Sequence, residues 1–177
     1  NGALKLNTTG AKNVAVGSGA LDANTTASNN VAIGYDALGS NTTANNNTAI
    51  GYNALLSNST GLDNVAVGQD TLKNNTTHSN TAVGRYAMRA NTTGTESVAV
   101  GKGALSANTT GNYNTAVGYN ALDANTTASD NISIGYNTLG ANTTGTRNVA
   151  VGNYAADAQT TANDVTAIGY LALSANT

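Results

Sequence analysis

Five tyrosines directly follow a recurring glycine, and their rings are the first side chains whose type and spacing could do chemistry. A phenol ring combines apolar area with a polar tip, so a row of exposed rings could stack on sugars or contact a protein partner. In the alternative interpretation, each ring only covers the neighbouring repeat, because single exposed apolar residues need no functional account. The candidate binding residues are Tyr35, Tyr52, Tyr119, Tyr136 and Tyr170.

Asn-Thr-Thr tripeptides, with one Asn-Ser-Thr, recur at the same spacing and match the acceptor pattern for N-glycosylation. Glycans about 4.8 Å apart would be crowded, and the tripeptide also favours an ordinary turn. A column of threonines could instead order water, as an ice-binding surface does. The candidate glycosylation sites are Asn7, Asn24, Asn41, Asn58, Asn75, Asn91, Asn108, Asn125 and Asn142.

Catalytic and metal chemistry have little support. His78 is the single histidine, so a histidine-based triad has one candidate without a repeated partner. Three aspartates share one repeat position, Asp22, Asp123 and Asp157, but they lie several repeats apart, too far for paired-carboxylate chemistry. Gly17-Ser18-Gly19 begins like a phosphate loop and lacks the third glycine. We therefore expect no enzyme activity, no metal and no cofactor.

Composition narrows the function classes further. The chain has 177 residues, no cysteine, and 9% charged residues with a net charge of −2. No disulfide framework or thiolate metal site can form without cysteine. No basic stretch points to nucleic acid, and no apolar run approaches the ~20 residues of a membrane span. We expect neither nucleic-acid binding nor membrane insertion by this segment.

A repeat must position these residues. Every glycine in the recurring set is preceded by a small apolar triplet, and the steps are all seventeen residues apart from one of sixteen. A fixed period of this length is typical of a solenoid, in which one short unit is stacked along an axis. The recurring glycines, which define position 0 of each repeat, are Gly17, Gly34, Gly51, Gly68, Gly84, Gly101, Gly118, Gly135, Gly152 and Gly169.

Each repeat reads as two short strands and two turns. The triplet before the glycine, as in Val14-Ala15-Val16, places β-branched residues at alternate positions, which suits a strand. A second strand is predicted around the leucine at position +4, and Asn-Thr-Thr predicts a turn. The missing residue of the short repeat falls within 77–80, so that stretch is also predicted to be a turn. The sequence thus predicts an all-β parallel solenoid of about ten coils, on the order of 50 Å long.

The core is predicted from the columns that identical positions form. Val or Ile at position −1 and Leu at +4 are expected to fill a thin core, with the Asn-Thr-Thr asparagines stacked as an amide ladder. The alanine at position −2, as in Ala32, alternates away from that core. Because a small residue permits close approach, we expect this alanine face to pack against sister chains.

Asn30-Val31-Ala32-Ile33-Gly34 resembles the head repeat of trimeric autotransporter adhesins of the YadA-like type, and similar arrays are found in phage tail fibres. The resemblance covers the whole chain. It implies left-handed parallel β-rolls, three chains side by side, displayed outside the cell or virion. Family heads usually have a unit of about fourteen residues, so the longer turn here departs from that pattern.

Taken together, these features predict one repetitive segment over residues 1–177, cut from a longer fibrous protein. We expect a rigid shaft or head of a homotrimeric surface adhesin or tail fibre, extracellular, that supports display and attachment. The rival hypothesis is a binding module whose repeat surface itself contacts a host glycan or matrix protein.

Overall fold

Ten three-residue strands form one parallel sheet in a computed structural model that describes residues 2–175. Their spatial order equals their sequence order, and each strand pairs in register with the next, so Val98 lies opposite Thr115 and Val100 opposite Val117. The strands are β1 (Val14–Val16), β2 (Val31–Ile33), β3 (Thr48–Ile50), β4 (Val65–Val67), β5 (Thr81–Val83), β6 (Val98–Val100), β7 (Thr115–Val117), β8 (Ile132–Ile134), β9 (Val149–Val151) and β10 (Thr166–Ile168).

This arrangement confirms the all-β parallel solenoid of seventeen-residue coils. Nine strand-to-strand steps make about nine turns, and no helix occurs in residues 2–175. At about 4.8 Å per step, the strands extend about 43 Å along the axis.

Each strand ends at the glycine of position 0 because only glycine fits there. Gly101 has a φ of 134°, a conformation that L-residues rarely adopt. A Cβ at Gly101 would also meet the carbonyl oxygen of Gly118 in the next coil. The chain therefore turns sharply at the end of every strand.

The prediction of a second strand is wrong, because the segment after the glycine forms a series of consecutive tight turns. In the coil that starts at Gly101, Ala104 N donates to Gly101 O over 3.3 Å and Ser106 N donates to Gly103 O over 3.2 Å. Asn108 N then donates to Leu105 O over 3.3 Å. The first two of these turns have a positive φ at their third residue, which is Gly103 (70°) in one and Leu105 (53°) in the other.

The leucine at position +4 is thus held in the left-handed region in every coil. Leu21, Leu38, Leu55 and Leu72 have φ between 49° and 52° and are fully buried. A Cβ branch would be strained in this conformation. This explains why the position carries Leu, Met or Ala and never Val or Ile, whereas the strands carry Val, Ile and Thr and never Leu.

The prediction of which strand side chains face the core is also wrong. The alanine at position −2 points inwards and is fully buried, as at Ala32, Ala66 and Ala99. The Val and Ile side chains on either side of it point outwards, and Val100 keeps 38% of its surface exposed. Ala99 packs in one core cluster with the leucines of position +4. The expected alanine face for sister chains therefore does not exist on the surface.

Buried asparagines join the other half of each coil to the next. At position +13, Asn131 N donates to Asn114 Oδ1 in the coil before it over 3.1 Å, and Asn131 Nδ2 donates to Gly145 O in the coil after it over 2.9 Å. Both asparagines are at most 1% exposed. Because each such asparagine bonds to the coil before it through its backbone N and to the coil after it through its side chain, this column connects coils through hydrogen bonds.

Candidate interaction surfaces

One apolar surface consists of two columns that we call the outer aliphatic columns. They stand about 7 Å apart and extend about 43 Å, which is roughly 300 Å² in plan, within the size range of patches that mark interaction sites. Threonine replaces the aliphatic residue at four places. The members are Val14, Val31, Thr48, Val65, Thr81, Val98, Thr115, Ile132, Val149 and Thr166, and Val16, Ile33, Ile50, Val67, Val83, Val100, Val117, Ile134, Val151 and Ile168.

The five candidate tyrosines form an interrupted column at position +1, immediately beside the outer aliphatic columns. All five are exposed, from Tyr119 at 40% to Tyr170 at 71%. The rings are brought together as two stacked pairs. Tyr35 and Tyr52 have centroids 5.4 Å apart with planes 14° from parallel, and Tyr119 and Tyr136 are 5.2 Å apart at 10°.

Stacking along the rod determines which part of each ring is free. Since the two rings of a pair lie on consecutive coils, each ring covers one face of the other and presents its edge outwards. The Nζ atom of Lys102 lies 5.2 Å from the Tyr119 centroid, and Tyr154 packs edge-on against Tyr136. These ring faces are occupied by the protein itself, which supports the covering role more than a sugar platform.

The asparagines of Asn-Thr-Thr are buried and bonded. Asn24, Asn91 and Asn125 are 0% exposed, and Asn24 Nδ2 donates to Asn7 Oδ1 over 2.7 Å. A glycan on such a nitrogen would displace these bonds and could not fit inside the coil. Asn41, Asn58, Asn75, Asn108 and Asn142 are equally buried, whereas Asn7 is exposed.

The amide ladder predicted from the sequence forms over most of the rod. Bonds run from Asn41 to Asn24 and from Asn142 back through the successive asparagines to Asn75. The ladder is interrupted around Asn58, beside the sixteen-residue coil. Asn58 Oδ1 accepts from Gly61 N within its own turn over 3.1 Å, and Asn75 Nδ2 donates to Thr77 O over 2.7 Å rather than to Asn58. The short coil thus exchanges one ladder bond for a local one.

The first threonine of Asn-Thr-Thr is used by the backbone. Thr92 Oγ1 donates to Thr109 O over 3.0 Å, and Thr109 Oγ1 donates to Thr126 O over 2.9 Å. The second threonine is exposed in coils such as that of Thr110, but Thr77 Oγ1 donates to Gly94 O over 2.7 Å, so not every coil offers a free hydroxyl. A water-ordering face would therefore have at most one free threonine per coil.

Within residues 2–175, the titratable residues considered from the sequence lie apart from one another. His78 is exposed in the turn that the sequence predicted for residues 77–80. Asp123 and Asp157 border an open depression of about 290 Å³ with Asn120, Asn137 and Gly140, but they are two coils, roughly 10 Å, apart. Among residues 2–175, no three His, Cys, Asp or Glu side chains come together as metal ligands would.

Two acidic groups have shifted pKa values, for opposite reasons. Desolvation raises the pKa of Asp123, and backbone hydrogen bonds at Asp123 and Ala124 partly offset it. The Arg147 guanidinium lowers the pKa of Asp164, because it donates to both carboxylate oxygens over 2.7 and 2.9 Å. Both shifts follow from structural contacts and need no ligand.

Searches of known protein families, of curated proteins and of solved structures found no match to this chain. The described residues include no helix long and apolar enough to span a bilayer.

Proposed function

We propose that this chain is a rigid, non-enzymatic rod segment of an extracellular fibre that holds a binding tip away from a surface. The observation that carries the proposal is the unbroken in-register stacking of ten strands in sequence order. Every coil contacts its neighbours along the axis, so the chain has a length and a direction. Such one-dimensional architecture suits display and attachment.

The rod assembles side by side with two further copies through the outer aliphatic columns. The Val, Ile and Thr side chains of this face are exposed or half-exposed in the single chain, and an apolar patch of this size is typical of an interaction site. The face carries no charged residue, so copies can pack there without burying an unpaired charge. The alanine face cannot serve this purpose, because it forms the core.

The fibre belongs to a bacterial surface adhesin or to a phage tail. This assignment rests on the resemblance of segments such as Asn30–Gly34 to the repeats of those proteins. The stacking of seventeen-residue coils, with the recurring glycine at each strand end, supports it. The absence of cysteine suits either location, because hydrogen-bonded columns replace disulfides as the staple.

Analytical ultracentrifugation tests the assembly. The wild-type chain is expected to sediment as a trimer of the 17.5 kDa protomer. The double variant Val83→Lys with Val100→Lys places charges on the outer aliphatic columns and is expected to yield folded monomers. The matched control Thr93→Lys with Thr110→Lys alters an exposed turn and keeps the trimer. A folded wild-type monomer at tens of micromolar would overturn this assembly.

A binding module is the second candidate, because the edges and hydroxyls of the exposed tyrosines remain accessible. Its contacts would be hydrogen bonds to a glycan or matrix protein rather than ring stacking. Replacement of Tyr35, Tyr52, Tyr119, Tyr136 and Tyr170 by Ala separates the two functions. Lost adhesion with retained circular dichroism favours the binding module, and unchanged adhesion favours the rod.

A further inference from the structure

Acidic residues never stack on acidic residues in this rod, although in-register coils would allow it. Asp36 and Asp70 share a column, but Asn53 separates them and donates to Asp70 Oδ1 over 3.1 Å. Arg147 separates Asp130 from Asp164, and it forms an ion pair with Asp164. Like charges directly opposite each other in a sheet destabilise it, so this spacing avoids repulsion.

Basic residues break this rule, and they do so at one place only. Arg85 and Lys102 occupy position +1 of consecutive coils, so their Cα atoms stand about 4.8 Å apart. Lys73 and Arg89 likewise occupy position +5 of consecutive coils. These four residues, which we call the cationic cluster, lie within three successive coils in the middle of the rod.

The charges of the cluster are largely uncompensated within residues 2–175. Lys73 pairs with Asp70 over 3.4 Å, but Arg85, Arg89 and Lys102 form no ion pair and are exposed. The whole chain has a net charge of −2, so the residues outside the cluster carry a net charge of −6. Repulsion between Arg85 and Lys102 brings no benefit to the isolated fold.

Aromatic rings hold the cations in place. The guanidinium carbons of Arg85 and Arg89 lie 4.4 and 5.1 Å from the centroid of the Tyr86 ring, and Arg85 also donates to the Tyr86 hydroxyl over 2.7 Å. Two guanidinium groups therefore share one ring. Such groups, whose planar forks match carboxylate and sulfate oxygens in pairs, are pre-organised for an anion.

We propose that the cationic cluster binds a short anionic stretch of a polysaccharide that carries sulfate or carboxylate groups. The cluster spans three coils, about 10 Å, which suits a few charged sugars rather than a long polyelectrolyte. Guanidinium groups occupy Tyr86, so this ring offers no platform on which a nucleic-acid base could stack. The acidic coils on either side would repel a nucleic acid or an anionic membrane that extended beyond the cluster.

Isothermal titration calorimetry with size-defined oligosaccharides tests this site. A heparin octasaccharide supplies sulfate, a hyaluronan octasaccharide supplies carboxylate alone, and a neutral dextran octasaccharide is the uncharged probe. The wild-type chain is expected to bind at least one anionic octasaccharide and not the neutral one, more weakly as salt increases. The double variant Arg85→Gln with Lys102→Gln is expected to bind at least tenfold more weakly.

The matched control is Lys5→Gln with Lys12→Gln, which removes the same charge from exposed lysines far from the cluster. It is expected to change affinity less than twofold. The cluster variant should unfold at the same or a higher denaturant midpoint, because it relieves repulsion; a lower midpoint would assign these residues a structural role. The site lies outside the outer aliphatic columns, so the variant keeps the wild-type sedimentation mass whatever that mass is.

Three results would overturn the proposal. Absence of binding to both anionic octasaccharides would remove the site. An equal loss of affinity in the control variant would show that binding depends on the net charge of the chain and not on the cationic cluster. Tighter binding to single-stranded DNA or to phosphatidylserine vesicles of equal charge would assign the cluster to a different class of partner.

Discussion

The side-chain amide of Asn108 donates from Nδ2 to Oδ1 of Asn91 over 2.8 Å, although the two residues are seventeen positions apart in the chain. Both are fully buried, and the same Nδ2 donates to Gly111 O over 3.0 Å. One nitrogen therefore closes a turn within its coil and bonds that coil to its neighbour. A buried amide with both bonds satisfied is a specific connection that apolar packing cannot replace.

Substitution Asn108→Ala should destabilise the rod by about 2–3 kcal/mol. It leaves Oδ1 of Asn91 buried without a donor and removes one of the two acceptors of Asn125 Nδ2, which keeps its bond to Ala128 O. Urea denaturation followed by circular dichroism measures the change. The control Asn74→Ala, at an exposed position, is expected to stay within about 0.5 kcal/mol of wild type. Equal effects of the two substitutions would contradict a structural ladder.

Substitution Ala99→Leu should destabilise the fold by about 1–3 kcal/mol, because the narrow interior has no room for a larger side chain. Ala99 is 0% exposed and lies opposite Ala82 and Ala116 in the neighbouring strands. The adjacent control Val98→Leu enlarges a side chain that points outwards. Thermal unfolding of both variants distinguishes the two faces of the strand, and a more harmful Val98→Leu would contradict the observed orientation.

Substitution Leu105→Val should destabilise by about 1–2 kcal/mol more than Leu105→Met, although both variants remain apolar. Leu105 has a φ of 53°, where a branch at Cβ is strained. Methionine is unbranched and already occupies the equivalent position at Met88, with a φ of 49°. Denaturant midpoints of the two variants provide the comparison. If the valine variant were as stable as the methionine variant, the left-handed backbone conformation at this position would not determine which residue is tolerated.

Substitution Asp123→Asn should stabilise the protein at neutral pH and not at pH 3. The pKa of Asp123 is raised in the folded state, first by desolvation, so folding favours its protonated form. The stability that Asp123 contributes is complete below its unfolded pKa and is lost as pH rises through the folded pKa. An amide cannot lose a proton and avoids that loss. Unfolding curves at pH 3 and pH 7 measure the difference, and an advantage at pH 3 alone would contradict the sign.

The period predicted the strand register, because identical residues one repeat apart become neighbours only when coils stack. The sequence also placed the amide ladder and the turn around His78, since a deletion is accommodated where the chain is not packed. It could not decide which side of Val98-Ala99-Val100 faces inwards. Alternation of period two defines two faces and does not say which one is buried.

Their greater hydrophobicity led to the prediction that the strand valines fill the core. The alanine between them fills it instead, because the space there is small. The leucine at position +4 reaches into the core, where it packs with the alanine of the strand, and this leaves space for only a small side chain at position −2. The second error, the strand around Leu105, had a signal in the sequence. That position never carries a residue branched at Cβ, as expected for left-handed backbone and not for a strand.

The repeat that starts at Gly152 has Ala156 where other coils have Leu or Met, and Val165 stands where the preceding coil has Asn148 at position +13. Each coil is stabilised only by the coils on either side of it. The free energy of local unfolding at one coil therefore depends on its own contacts, and stable coils elsewhere do not compensate for a weak interface. Amides of residues 152–168 should therefore exchange with deuterium before those of the central coils. Under tension along its axis, the rod is expected to unfold first at this coil. The force that the rod withstands is therefore set by this one coil and not by the mean stability of all coils.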